Sequence, residues 1–354
     1  MTVDTPVQET ALQLTASGTR LARWVPYAFV GGSLAVAFLV LLVVAQPTLA
    51  SVLGLGAALY AVGLTITSRV VEGSRYAADR LATTLVTFAF LLAMIPLVSL
   101  VWTVVSNGIV RFSWDFLTTD MMGVYGSMTS GGVYHAIVGT LLVTLACAVI
   151  AVPLGILTAI YLVEYGRGAL ARGITFLVDV MTGIPSIVAG LFAFALFTLI
   201  FGPAYRAGIM GAVALAVLMT PVVIRSVEEM LRLVPNELRE ASLALGVPKW
   251  LTIVKVVLPT AMAGIVTGVM LAVARVIGET APLLLTIGLV NQVNWDLFDG
   301  RMATLPVFAY RQWAQGGTGV DRAWAAALTL IIIVMLLNLA ARLVGRWFSP
   351  KKGR

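Results

Sequence analysis

The chain has 354 residues, 60% of them hydrophobic and 11% charged, with a mean hydropathy of +1.00. A soluble domain is about a quarter charged, so a soluble enzyme or nucleic-acid binder is excluded, and the net charge of +7 has meaning only once the charges are placed by membrane side. One cysteine, Cys147, and one histidine, His135, exclude an intrachain disulfide and the usual zinc spacings.

Residues 1–23 are polar, with Arg20 and Arg23 before the first apolar run, and read as a cytoplasmic N-terminal tail. The run 24–45 is longer than the apolar core of a signal peptide and is assigned as a span. It pairs with 48–67 through Gln46-Pro47 as a transmembrane hairpin, 24–67. The charged loop 68–80 then returns the chain to the cytoplasm. Further spans of roughly 20 apolar residues are predicted at 81–105, 136–162, 173–201, 207–224, 260–290 and 323–345. The polar interval 106–135 holds Phe112, Trp114 and Phe116, which suit an interfacial or periplasmic element, and ends at His135, assigned an interfacial role. The loop 163–172 carries Glu164, Arg167 and Arg172, and 346–354 is a basic tail. With both termini cytoplasmic, 17 of the 23 Lys and Arg fall inside, five outside, and Arg275 within a span. That asymmetry is the positive-inside bias.

Arg275 lies near the middle of the span 260–290, where a guanidinium costs roughly 2.5–3.5 kcal/mol on the gentlest scale, so it should face protein or a water cavity. Glu279 follows four residues later, within reach on the same helix face, and an ion pair would lower the cost for both. Pro282 removes the bond to the carbonyl of Gly278 and should bend the helix there. In the span 173–201, Pro185 should kink the helix, with Ser186 and Gly190 available for close packing. Asp179 suits either a path-lining role or a pair with a cytoplasmic Arg, and Pro221 reads as a helix exit.

The interval 225–259 is the one long charged stretch between apolar segments. Pro235, Asn236, Glu237 and Glu240 make an acidic helix start, and Gly246 a left-handed stop. Leu238, Ala241 and Leu245 share one face. Pro248 starts a second helix at Lys249-Trp250, expected to run to Pro259. Glu240-Ala241-Ser242, three residues, Gly246, nine residues, then Val256-Val257-Leu258-Pro259 resembles the E-A-A-x3-G-x9-I-x-L-P cytoplasmic loop of ABC importer permeases, with Ser242 in place of Ala and Val256 in place of Ile.

The segment RVIGETAPLL at 275–284, with PVVIRSVEEMLRLVP at 221–235, narrows the resemblance to the A-type permease subunit of phosphate ABC importers, over residues 81–345. The resemblance implies an all-α, polytopic transmembrane helix bundle with a MetI-like core of six spans, to which 24–67 adds an extra hairpin. It implies an ATPase-coupling loop at Glu240, Ala241, Ser242, Gly246, Leu258 and Pro259. For the translocation path, the residues themselves and the similar stretch at 182–186 in the family point to Arg275, Gly278, Glu279, Pro282, Asp179, Pro185 and Ser186. The implied partners are a C-type permease subunit forming a heterodimer, two copies of a cytoplasmic ATPase, and a periplasmic or lipid-anchored phosphate-binding protein, all at a bacterial inner (plasma) membrane.

No G-x-x-x-x-G-K-[ST] occurs, so no phosphate-cradling loop is expected, and no nucleophile–base constellation stands out. The expectation is a pore subunit that is not itself an enzyme and holds no cofactor or metal, with ATP and magnesium bound by the partner ATPase. The alternatives are a permease for another oxyanion, such as sulfate or molybdate, an ion-gradient secondary transporter, and a membrane scaffold that carries nothing.

Overall fold

A computed structural model describes residues 20–44, 46–125 and 128–348. Most of the N-terminal tail, to residue 19, and the last six residues of the basic tail lie outside them. The described residues are helical, with seven helices long and apolar enough to cross a membrane, or eight if one bent pair counts as a span. They divide into two compact units, residues 1–101 and 102–354.

In the first unit, α1 (Val25–Val44) packs along α2 (Leu49–Val71). Thr48 and Ser51 cap α2 reciprocally, which satisfies two free N–H groups of its first turn. The loop expected at 68–80 is instead a tight turn at Glu72-Gly73, with Gly73 at φ +95°, because α3 (Ser74–Gly108) starts directly after it. Glu72 carries this turn. Its carboxylate accepts from the Leu21 amide, the Ser68 hydroxyl and both Nε and Nη2 of Arg80, all at 2.7–2.8 Å. These donors, Arg80 first, hold the Glu72 pKa down at about 2. At 35 residues α3 is roughly 52 Å long, more than a bilayer core needs, and it crosses the boundary between the units at 101–102.

In the second unit, α4 (Trp114–Thr118) is a short surface helix, and α5 (Tyr134–Ile160) ends in a π turn, Tyr161–Tyr165. The fifth predicted span is two helices, α6 (Gly168–Thr182) and α7 (Ser186–Phe201), which meet at 108°. Pro185 ends the first ladder and caps the second, so the expected kink is a full break. The centre of the unit is α8 (Gly208–Arg232), whose apolar window is 61% buried. Small residues let its neighbours approach: a Cβ on Gly155 of α5 would stand 2.6 Å from Val223. Pro221 does not end this helix; it is buried and α8 continues to Arg232.

Next come α9 (Asn236–Ala244), α10 (Lys249–Thr252), a π turn at Ile253–Val257 and α11 (Leu258–Val276). Pro259 was expected to end the second helix of the loop. Instead it sits in the first turn of α11, and the helical path continues from Lys249 to Val276. The π turn accommodates it, with Leu258 N–H donating to the Ile253 carbonyl five residues back. A break at 277–280 follows, then α12 (Ala281–Thr286), α13 (Leu305–Gln315) and α14 (Thr318–Phe348).

A second small core closes the end of the bundle away from α9. There Phe116 is fully buried, and His135, 2% exposed, meets Phe308 edge-on at 5.3 Å. Both are packed inside this core, because the 106–135 interval folds back over the helix ends, with Val133 N–H donating to the Phe116 carbonyl.

Candidate functional site: a pocket at two helix breaks and an exposed loop

The two breaks in the helices meet. A pocket of about 200 Å³ is lined by Thr182, Ile184 and Ser186 from the α6–α7 break, Pro221 from α8, and Arg275 and Glu279 from the end of α11. Each break has a local cause. Pro185 lacks the N–H that would continue α6. Pro282 sits in the first turn of α12, where a missing N–H costs nothing, so it starts a helix rather than bending one. The breaks are held together through Gly190 of α7, where a Cβ would stand 2.6 Å from the Pro282 Cα.

This geometry changes the reading of Arg275 and Glu279. The helix ends at Val276, and Glu279 lies in the turn beyond, its N–H donating to the Val276 carbonyl. The one-face spacing of a continuous helix is lost, and among the described residues the two side chains form no ion pair. Both face the pocket, Arg275 exposed and Glu279 half-buried. Gly278 is exposed with open space around it, and Pro282 is buried. Pro185 is exposed at the pocket's edge, where α7 starts with no side chain capping its first turn.

Asp179 does not line the pocket. It pairs with Arg225, which also donates to Glu228 at 2.8 Å, and Glu228 accepts from Arg232 at 2.5 Å. Sequence reasoning singled out the 182–186 stretch only through Pro185 and Ser186, and it missed Leu218, Pro221 and Val222 of α8. Thr182 and Ile184 lie in the same TGIPS run as Ser186, so the break itself was the available signal. Nothing in the sequence distinguished a buried Pro221 from a helix exit.

The charged loop presents a free surface. Glu240, Ala241, Leu243, Leu245 and Gly246 are all exposed, with Leu245 83% so. Ser242 faces inward, its hydroxyl 2.9 Å from that of Thr252, which ties α9 to α10. Gly246, at φ +77°, makes the left-handed exit that a side chain would strain. Leu258 is half-buried and Pro259 exposed. Behind the loop, Arg239 donates from Nε to Glu164 at 3.0 Å, with Nη2 2.9 Å from the same carboxylate, and from its Nη atoms to the carbonyls of Leu231 and Val234, so α9 is clamped to the ends of α5 and α8.

Residues 151–354 match the family model described as binding-protein-dependent transport system inner membrane component. The phosphate transport system permease protein PstA 1 of Mycobacterium tuberculosis is 50% identical over 280 residues, covering 78% of this chain and 90% of that protein. The PstA of Pasteurella multocida is 38% identical over 275 residues, covering 76% and 95%. Among solved structures, a bacterial alginate ABC transporter in complex with an alginate pentasaccharide-bound periplasmic protein superposes with a TM-score of 0.53 at 15% identity, covering 78% of this chain and 97% of that one. That likeness concerns the fold alone. A relative half identical over most of both chains, together with the family model, decides the question: this chain belongs to the PstA family of phosphate transport system permease proteins, inner membrane components of binding-protein-dependent transport.

Proposed function

We propose that the chain is the A-type permease subunit of an ATP-driven phosphate importer, and that phosphate passes Arg275. The observation carrying this reading is the pocket at the paired breaks, where a guanidinium with no internal partner faces a cavity at the depth of a span. Charged groups are retained at such depth where a path needs them. A guanidinium fork suits a phosphate's oxygens, and the uncapped first turn of α7 favours an anion. Glu279 in the same wall repels a dianion, so phosphate is held weakly and released.

A loop that keeps an exposed face fits a partner that supplies the energy, since the sequence has no phosphate-cradling loop of its own. In this reading, a pair of cytoplasmic ATPases that bind ATP and magnesium press on Glu240–Gly246. A C-type permease completes the pore, and a periplasmic or lipid-anchored binding protein delivers phosphate. Both termini lie in the cytoplasm, in keeping with the distribution of basic residues.

The test is phosphate uptake by the complete transporter in cells lacking their own. Arg275→Ala should lower uptake at least about tenfold, a loss of ~1.4 kcal/mol, while the ATPase is still recovered with the chain. Full competition by sulfate or molybdate would replace phosphate with another oxyanion. Uptake without ATP that an ionophore abolishes would make the chain a secondary transporter.

A further inference from the structure

A second pocket, of about 340 Å³, lies beside the loop, at the end of the unit away from the His135 core. Its wall brings together Glu164 and Arg167 after α5, Arg232 at the end of α8, Asn236 and Arg239 on α9, and Lys249 at the start of α10. Four cations and one carboxylate face the same space. Their partners account for only part of the charge. Glu164 is taken by Arg239, and Arg232 shares Glu228 with Arg225. Lys249 reaches only the Glu164 backbone carbonyl and the Tyr165 ring, 4.9 Å away. Arg167 is exposed and makes no ion pair or hydrogen bond among the described residues. Two positive charges at one cavity are therefore uncompensated, next to two further guanidiniums that can share an incoming anion.

From this arrangement we infer that the pocket is a phosphate-group site, separate from the Arg275 pocket. Its occupant is a tetrahedral oxyanion, supplied as free phosphate or as the headgroup of an anionic lipid. Bound there, it bridges Arg167 and Lys249 across the wall and ties α9 to the ends of α5 and α8. It restrains the loop that the proposed ATPase must move, so accumulation of the transported ion would slow transport. This last consequence rests on the phosphate-importer reading; the site itself does not.

The test uses the complete transporter in nanodiscs of neutral phosphatidylcholine, without binding protein, and reads the thermal unfolding midpoint of this chain as inorganic phosphate is added. A ligand that binds the folded state raises the midpoint with saturation. The wild type should show this rise. Arg167→Gln should at least halve it, Arg167→Lys should retain most of it, and the part of the rise that needs Arg167 should persist in Arg275→Gln. A rise equal in wild type and Arg167→Gln overturns the site. A rise lost in Arg275→Gln but kept in Arg167→Gln also overturns it, and leaves the path reading standing. If free phosphate gives no rise but phosphatidylglycerol in the disc gives one that needs Arg167, the site holds with a lipid source. No Arg167-dependent rise from either source, as expected if an acidic side chain of a partner fills the pocket, overturns it.

Discussion

Two groups of charges on this chain are treated in opposite ways. Behind the loop, the well-buried carboxylates Glu164 and Glu228 each meet a guanidinium, and Arg239 spends its remaining donors on the carbonyls of Leu231 and Val234. At the pocket, Arg275 and Glu279 stand four residues apart and do not pair, because the helix that would have aligned them ends between them. The first group is internal scaffolding, satisfied within the chain. The second keeps its charge available to something outside it. A charged side chain in a span therefore says less by its presence than by whether its neighbours satisfy it.

The contrast can be broken at its strongest point first. Arg239→Ala leaves Glu164 buried without its partner, which should cost about 3–5 kcal/mol, read as a fall in thermal midpoint and loss of ATPase recovery. Glu72 in the N-terminal unit belongs to the same satisfied class. Its folded pKa of about 2 lies below the usual 4.5. Its stabilisation of the α2–α3 turn is thus fully present above pH 4.5 and lost as pH falls toward 2. Protease protection of that turn should fade over this window, and Glu72→Gln should be indifferent to it. The pocket pair should behave otherwise. Arg275→Ala and Glu279→Gln, combined, should show a coupling in thermal stability below about 0.5 kcal/mol; a coupling of 1.5 kcal/mol or more would mean that the two side chains pair after all. The smallest effect belongs to Asp179→Asn. Its carboxylate is 60% exposed and Arg225 keeps Glu228, so the change should cost under ~0.5 kcal/mol and leave uptake intact.

The loop was legible from the residues because its signals are local. An acidic start, a glycine with nothing but φ to demand it, and a proline at a helix entrance each act within a turn or two of chain. Arg275, Glu279 and Ser186 were found for a related reason: charges and a proline inside an apolar run violate the pattern around them. What the prolines do was not legible. Pro185, Pro221, Pro259 and Pro282 all lack an N–H, yet one separates two helices, one sits in an unbroken helix, one follows a π turn and one opens a new helix. Neighbours make that choice. Gly155 draws α5 against the stretch of α8 holding Pro221, and Gly190 lets Pro282 pack against α7. Such long-range contacts leave no mark at the proline itself. Asp179 was ambiguous likewise, until α8 placed Arg225 beside it.

The wide turn at Ile253–Val257 sets the angular phase of everything beyond it. Each residue advances an α-helix by about 100°, and a π turn accommodates one residue more than the ladder would otherwise hold. The rod from Lys249 to Val276 is thereby clocked, so that the side of α10 turned toward α9 and the side of α11 carrying Arg275 stand at a fixed azimuth. Removing a single residue within 253–257 would let the wide turn relax to an ordinary α turn and keep the guanidinium at the cavity, whereas removing one from the regular turns between 258 and 274 would swing it about a quarter-turn away.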